Sequence, residues 1–521
     1  MTQLQGASET ALSETVPPGA STAAASTGST IVRNASSMFA SQIITWLLTL
    51  LLTVFLPRYL GPSAMGEFAT ALSLWMVLGY LVNLGMDVYI AKEVARNHTR
   101  LPVLLGTSYA IRTLMYLLLL TGLFVYLVAF PTSLETFVVI QVIGLATYLG
   151  MLAQATAAAL QGLEKMQYSA LGLIVHRFVN TVLVFAAIGL GLGLVAISGA
   201  LAMAGLAWFL IQLYFLLRAT GIRLAVSLVE LRVMLRSSFP YFVASIVGVF
   251  YLQADVLLLN QMATSAEVGW YVVARQLYGT LLFVAVVFTT VMFPILTRTH
   301  VASPEMMPGI MRKAFELMLV IAVPIGLGLT VISQQLVDLL FGNDYRPAGV
   351  ILGLFGLVLI CMYFNILFGQ YYTSTDRQNH WTIVLMIGLV LVVMLNAIFV
   401  PMAETQFQNA AIGSALALLA TEGFMCVAGV VLAPREMLRT SLLRNIPRVW
   451  LAGVLMYTVA YQFRDAFLAV PVIIGALVYV GCIIAFRVLA PDDVVLLRGL
   501  LESIVRKIDR RAPRVVDESR S

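Results

Sequence analysis

The chain has 521 residues, 60% hydrophobic and only 11% charged, where a soluble domain carries about 25% charged residues. That balance excludes a soluble protein. At about 20 mostly apolar residues per bilayer-spanning helix, such a chain has room for on the order of fourteen spans and almost no extramembrane domain. The three cysteines, Cys361, Cys426 and Cys482, stand singly in apolar runs, and His98, His176, His300 and His380 lack ligand spacing. No disulfide framework, metal site, cofactor or catalytic residue is expected. A net charge of +6 would suit a nucleic-acid binder, but in a membrane chain the distribution of charge counts for more than its sum, and no nucleic-acid partner is expected.

In chain order, residues 1–30 are rich in Ser, Thr, Ala and Gly, hold no Lys or Arg, and lack the basic start and apolar stretch of a signal peptide. They are read as a disordered cytoplasmic tail. Apolar windows then fall at 36–56, 66–90, 105–130, 135–160, 167–190, 194–217, 238–262, 267–296, 313–333, 348–371, 381–401, 409–433, 447–463 and 467–489. These predict fourteen transmembrane helices joined by short loops, an all-α polytopic membrane protein.

Cytoplasmic loops keep an excess of Lys and Arg, so the basic residues test this count. Nearly all fall on one side, including Arg33, Lys92, Arg96, Arg100, Lys165, Arg218, Arg298, Arg377 and the run from Arg435 to Arg448; only Arg58, Arg346 and Arg464 fall on the other. A single missed or invented helix would scramble this segregation. The expected placement is the plasma (inner) membrane, multi-pass, with both termini cytoplasmic. Two cytoplasmic segments, Leu224–Arg236 and Val494–Arg511, set apolar residues at helical spacing beside arginines. They read as interfacial helices that anchor to anionic membrane lipids.

The first six predicted helices and the next six can be laid over each other. Gly66-Glu67-Phe68 with Ala71 and Leu74 corresponds to Gly269-Trp270-Tyr271 with Ala274 and Leu277, and Ala196-Ile197-Ser198-Gly199 faces Ala411-Ile412-Gly413-Ser414. An even number of helices per half makes this a parallel repeat about an axis along the membrane normal, with the space between the bundles as the expected substrate site. The predicted organisation is a tail (1–30), a six-helix bundle (31–219), an amphipathic linker (220–237), a second six-helix bundle (238–433), a helix pair (434–490) and a basic amphipathic tail (491–521).

These residues resemble a family. The stretch LGPSAMGEFATALSL at 60–74 looks like the segment after the first helix of polysaccharide-transport flippases of the multidrug/oligosaccharidyl-lipid/polysaccharide exporter superfamily. Phe239-Pro240, Asp255 and Val268-Gly269-Trp270-Tyr271 with Ala274 are similar to the start of their second half, and Asn396, Pro401 and AAIGSALA (410–417) to their eleventh and twelfth helices. The resemblance spans about 31–433. It implies flipping of an undecaprenyl-type lipid-linked oligosaccharide from the inner to the outer leaflet for cell-surface polysaccharide assembly, with a polysaccharide polymerase and glycosyltransferases as candidate partners.

Charges inside the bilayer are candidate functional groups because each costs about 2.5–3.5 kcal/mol on insertion scales. Three arginines fall within predicted helices: Arg112, Arg177 and Arg275. His176 and Arg177 lie about nine residues, roughly 14 Å, into the fifth helix, too deep to snorkel, whereas Arg112 is within stem's reach of the headgroups. Asp255 and Arg275 stand at equal distance from the turn near Ser265, so a buried ion pair competes with a substrate contact there. Arg177, Arg112, Arg275 and His176, with the polar residues Gln42, Gln253, Asn365 and Gln370, form the expected substrate lining. For each polar residue, hydrogen bonding between helices is the competing reading. Asp255 and Glu422 are the ion-coupling candidates. Asp87, Glu316 and Asp338 fall near predicted helix ends, where water reaches them, and are left out. An excess of intramembrane arginine favours an anionic cargo, and Pro240, Pro294, Pro324 and Pro401 are candidate kinks for rocking motions.

Two other functions compete. A cation-coupled drug antiporter of the same superfamily is expected to have twelve helices and acids in its first bundle, yet here the first helix has only Ser, Thr and Gln as polar residues. A membrane glycosyltransferase or ligase needs catalytic carboxylates at the outer face, where this chain has short loops with few acids such as Glu404 and Asp344. No GxxxxGK[ST] motif occurs, so ATP drive is not expected.

Overall fold

The computed structural model describes residues 18–129, 133–433 and 441–488, side chains at 18–44, 46, 244 and 441–443 excepted. The described chain is α-helical without strands. Its helices are α1 (Pro18–Asn83), α2 (Met86–Arg96), α3 (Leu101–Ala129), α4 (Leu134–Gly162), α5 (Met166–Gly189), α6 (Leu194–Thr220), α7 (Leu228–Met262), α8 (Ser265–Leu281) and α9 (Phe283–Ala302). They continue with α10 (Met307–Phe341), α11 (Ala348–Ser374), α12 (Gln378–Phe407), α13 (Ala410–Leu432), α14 (Ser441–Gln462) and α15 (Ala469–Ala485). Among the described residues, 11 stretches are long and apolar enough to cross a membrane, and α15 is apolar but shorter. Large apolar side chains such as Leu118, Phe124 and Val125 on α3 stand exposed, as a lipid-facing surface requires.

Several local features depart from the sequence reading, each for a physical reason. Helix α1 begins at Pro18, so residues 18–30 extend the first helix instead of completing an irregular tail. The alanines at 20 and 23–25 favour helix, and proline is tolerated in a first turn. The window 36–56 and most of 66–90 lie on one kinked helix, broken in backbone angle only at Gly61. That helix stops at Asn83, where Leu84 and Gly85 take left-handed φ of 48° and 72°, and the chain restarts as the amphipathic α2. The linker expected at 220–237 is not a helix of its own. Gly221 ends α6 in a left-handed turn, the next residues are irregular, and the Ser227 hydroxyl accepts from Glu230 N at 3.3 Å as α7 starts at Leu228 and runs unbroken to Met262. The window 267–296 divides into α8 and α9 around Leu282. The basic tail from 491 lies outside the described residues.

The chain forms two compact units, 1–253 and 254–521. In the first, α4 packs along α6 and α2, and α1 along α5. Small residues allow the close approaches: a Cβ at Gly144 would run into the Trp75 ring, whose indole N–H donates to the Ile140 carbonyl at 2.6 Å. The buried face of α2 (Met86, Tyr89, Ile90, Val94) joins Leu101, Leu104 and Leu105 of α3 and Ala155, Ala158 and Ala159 of α4 in one apolar core. In the second unit, α10 packs along α11 and α12 along α13, and the α14–α15 pair lies against α10. A Cβ at Gly326 would meet the Gly356 carbonyl, so these two helices touch backbone to backbone.

Candidate functional site

The first unit encloses a cavity of about 720 Å³ between α2, α4, α5 and α6. Its room comes from small side chains, Ala91, Ala157, Ala158 and Ala170. Its polar lining comes from Asp87, Lys92, Gln154, Gln161, Ser169 and Trp208. Gln154, Ala158 and Gln161 recur at three- and four-residue spacing and so share one face of α4. Volume and lining suit a ligand held by a few polar groups.

Asp87 is the one carboxylate on this wall, and it is neutralised from behind. Arg112 on α3 donates to Asp87 Oδ1 at 2.6 Å and to Asn83 Oδ1 at 2.9 Å, and also to the Met151 carbonyl. The Arg112 side chain is fully enclosed, and that of Asp87 is 25% exposed. Arg112, expected in the substrate lining, is instead enclosed in a structural pair and does not line the cavity, and Asp87, expected to be a solvated helix end, is its partner. The left-handed pair Leu84-Gly85 turns α2 so that Asp87 comes back to the guanidinium, which no helical periodicity signals.

Arg177 is the opposite case. It is half-buried near the middle of α5, and no hydrogen bond or ion pair is recorded for its side chain among the described residues. It stands one turn beyond Leu173, which lines the cavity, so both share a helix face. The adjacent His176 stacks on Trp208 with ring centroids 4.9 Å apart, and its Nδ1 has no partner among the described residues. Neither Arg177 nor His176 lines the cavity itself; each lies next to a residue that does, Arg177 one turn from Leu173 and His176 against Trp208.

At the cytoplasmic end expected from the charge pattern, Arg100 bridges to Glu93 and, at 2.9 Å, to Glu230 at the start of α7. Tyr89 approaches the same Glu230 at 3.4 Å. Burial, reinforced by this carboxylate, pushes the Tyr89 phenol above its ordinary value. These contacts pin α2, and with it Asp87 and Lys92, against its neighbours.

The other expected residues lie elsewhere. Gln253 donates to the Met76 sulfur at 3.1 Å within the first unit. In the second unit Arg275 pairs with Asp255 at 3.2 Å, the ion-pair side of the two readings that their equal depths left open, and Asp255 also accepts from Tyr271 at 2.7 Å. Asn365 donates to the fully buried Glu422 at 2.6 Å. Gln370 is half-buried on α11. Gln42 lies outside the residues whose side chains are described. The structure thus joins Asp255 with Arg275 and Asn365 with Glu422, and none of the expected lining residues whose side chains are described is among those that line this cavity.

Long apolar helices with a polar cavity define a multi-pass membrane protein. Residues 31–300, just over half of the chain, match the family of polysaccharide biosynthesis proteins, and the chain belongs to that family. No curated protein matches the sequence. Among solved structures, lipid II flippase MurJ in an inward closed conformation is similar at 15% identity with a TM-score of 0.68, covering 88% of this chain and 99% of that one. A multidrug resistance MATE family transporter of the MOP superfamily, in an inward-facing conformation, is similar at 13% identity and a TM-score of 0.62, over 74% of this chain and 94% of that one. An outward-facing MATE structure gives 15% identity and 0.53, over 79% and 96%. The fold is that of these membrane transporters.

Proposed function

We propose that the protein moves a lipid-linked oligosaccharide of the undecaprenyl-pyrophosphate type from the inner to the outer leaflet of the plasma (inner) membrane, by alternating access of its two helical bundles, to feed cell-surface polysaccharide assembly. The observation that carries this reading is Arg177, a mid-helix cation one turn from Leu173 in the wall of a cavity of about 720 Å³. A pyrophosphate headgroup needs cations and hydrogen-bond donors to cross ~30 Å of hydrocarbon, while its lipid tail remains in the bilayer. Arg177 supplies charge, Lys92, Gln154, Gln161 and Ser169 supply donors, and Trp208 supplies an apolar face for a sugar ring. Arg112 has a supporting role: it cancels Asp87, which would otherwise repel an anion. Family membership and the fold shared with a lipid II flippase support a lipid-linked cargo. Asp255, held by Arg275, and Glu422, which accepts from Asn365, are the two coupling-ion candidates.

The test is transfer of labelled lipid-linked oligosaccharide in proteoliposomes. Arg177→Ala is expected to fold and insert but to lose transfer, and full retained transfer by that variant would exclude the Arg177 assignment. Export of cationic dyes against an ion gradient, with lipid-linked sugar ignored, would establish the antiporter reading instead.

A further inference from the structure

A second cavity, of about 530 Å³, lies where the first turn of α14 meets the end of α15. Arg444, Arg448 and Arg487 line it together with Leu451, Ala485 and Phe486. Arg444 and Arg448 stand one turn apart on α14, on one face. No ion pair is recorded for any of the three among the described residues.

The third arginine is held by a built turn. Arg487 N donates to the Ile484 carbonyl at 3.1 Å and Val488 N to the Ile483 carbonyl at 3.2 Å, the double hydrogen bond of a Schellman cap. The position after the helix in such a cap favours glycine, yet here an arginine takes a left-handed φ of 48°, which costs an L-residue about 1–2 kcal/mol. Asn445 on α14 donates to the Val488 carbonyl at 3.4 Å and ties this turn to the helix that carries the other two arginines. Three like charges thus converge on one hollow floored by apolar groups.

From this arrangement we propose that the cavity binds the phosphate of an anionic membrane lipid. It lies where the start of α14 meets the end of α15, an apolar helix. Guanidinium groups bind phosphate oxygens through paired, charge-assisted hydrogen bonds, and Leu451 and Phe486 offer the first acyl carbons an apolar wall. A basic hollow between membrane helices is suited to such headgroups. The site is independent of the transport reading and of the cavity in the first unit.

The full chain, purified in an uncharged detergent, is titrated with phosphatidylglycerol, phosphatidylcholine and inorganic phosphate, and bound lipid is counted by native mass spectrometry. Saturable binding of phosphatidylglycerol alone is expected. The triple variant Arg444→Gln, Arg448→Gln, Arg487→Gln is expected to lose on the order of 100-fold in affinity, about fivefold per basic group. Replacement of the same three by lysine should restore most of it. Should the triple variant fail to elute as folded protein, Arg487→Gly, which removes one charge and eases the backbone, is expected to weaken binding about fivefold without loss of thermal stability. Equal affinity of wild type and the charge-removed variant, or equal binding of phosphatidylcholine, would overturn the proposal. Full competition by inorganic phosphate at the lipid's own concentration would overturn it too, assigning the hollow to a free phosphate ion.

Discussion

The two units treat intramembrane charge in opposite ways. Each buries an arginine–aspartate pair, Arg112 with Asp87 in the first and Arg275 with Asp255 in the second. Beyond the pair, the first unit carries Arg177 one helical turn from the cavity-lining Leu173, while the second buries Glu422, which accepts from Asn365. The cavity of about 330 Å³ between α10, α14 and α15 in the second unit is lined by apolar residues such as Leu281, Ile325, Leu329 and Met456. With Asp87 counted beside Asp255 and Glu422, the arginine excess read from the sequence disappears, and what distinguishes the units is how each charge is held.

Substitutions that remove one charge at a time break this comparison most directly. The largest effect on stability is expected from Arg112→Ala. It strands Asp87 against the Asn83 amide and leaves the Met151 carbonyl without its donor, a loss of about 3–5 kcal/mol, read as a large fall in the unfolding temperature in detergent. An unchanged unfolding temperature would mean that the pair is not the structural element of the first unit. Asp255→Asn should cost less, about 1.5–3 kcal/mol, because Arg275 keeps 22% of its side chain exposed and water can reach it; the same unfolding assay ranks the two.

Glu422→Gln preserves shape and leaves the Asn365 side chain a carbonyl to donate to, so stability should change by less than about 1 kcal/mol. Its effect belongs in transport: a loss of ion-gradient dependence would sharpen the contrast between the units, and unchanged dependence would remove Glu422 from coupling. Arg177→Ala should have the smallest effect on stability, within about 0.5 kcal/mol or slightly favourable, since it deletes a charge that has no recorded partner. A destabilisation as large as that of Arg112→Ala would show that Arg177 is structural, and the proposed asymmetry would fail.

Much of this was legible in the sequence where depth alone decides. Asp255 and Arg275 were placed together by counting from the turn at Ser265, and the structure joins them at 3.2 Å. Distance from the helix start marks His176 and Arg177 as deep, and the structure sets them next to Trp208 and Leu173, two residues of the cavity wall, without placing either in that wall. Asp87 was not legible, because its meeting with Arg112 depends on two consecutive left-handed residues, Leu84 and Gly85, and only the glycine has a residue-type preference for that conformation. The cavity escaped for a related reason: alanines at 91, 157, 158 and 170 read as ordinary span residues, and whether their small size is filled by a neighbour or left open is settled by packing. Asn365 and Glu422 were each singled out, but their partnership depends on the register of α11 against α13, which a single sequence does not encode visibly.

The kink in α1 carries a consequence about handedness. Gly61 has φ 73° and ψ 171°, a region open to almost no L-residue but glycine, and a Cβ built there would meet nothing within 4 Å. The constraint is therefore one of chirality and not of space. L-alanine at this position should straighten or displace the helix despite ample room. D-alanine, introduced by semisynthesis, reaches the same angles as the mirror image of an ordinary extended residue and should leave the bend intact.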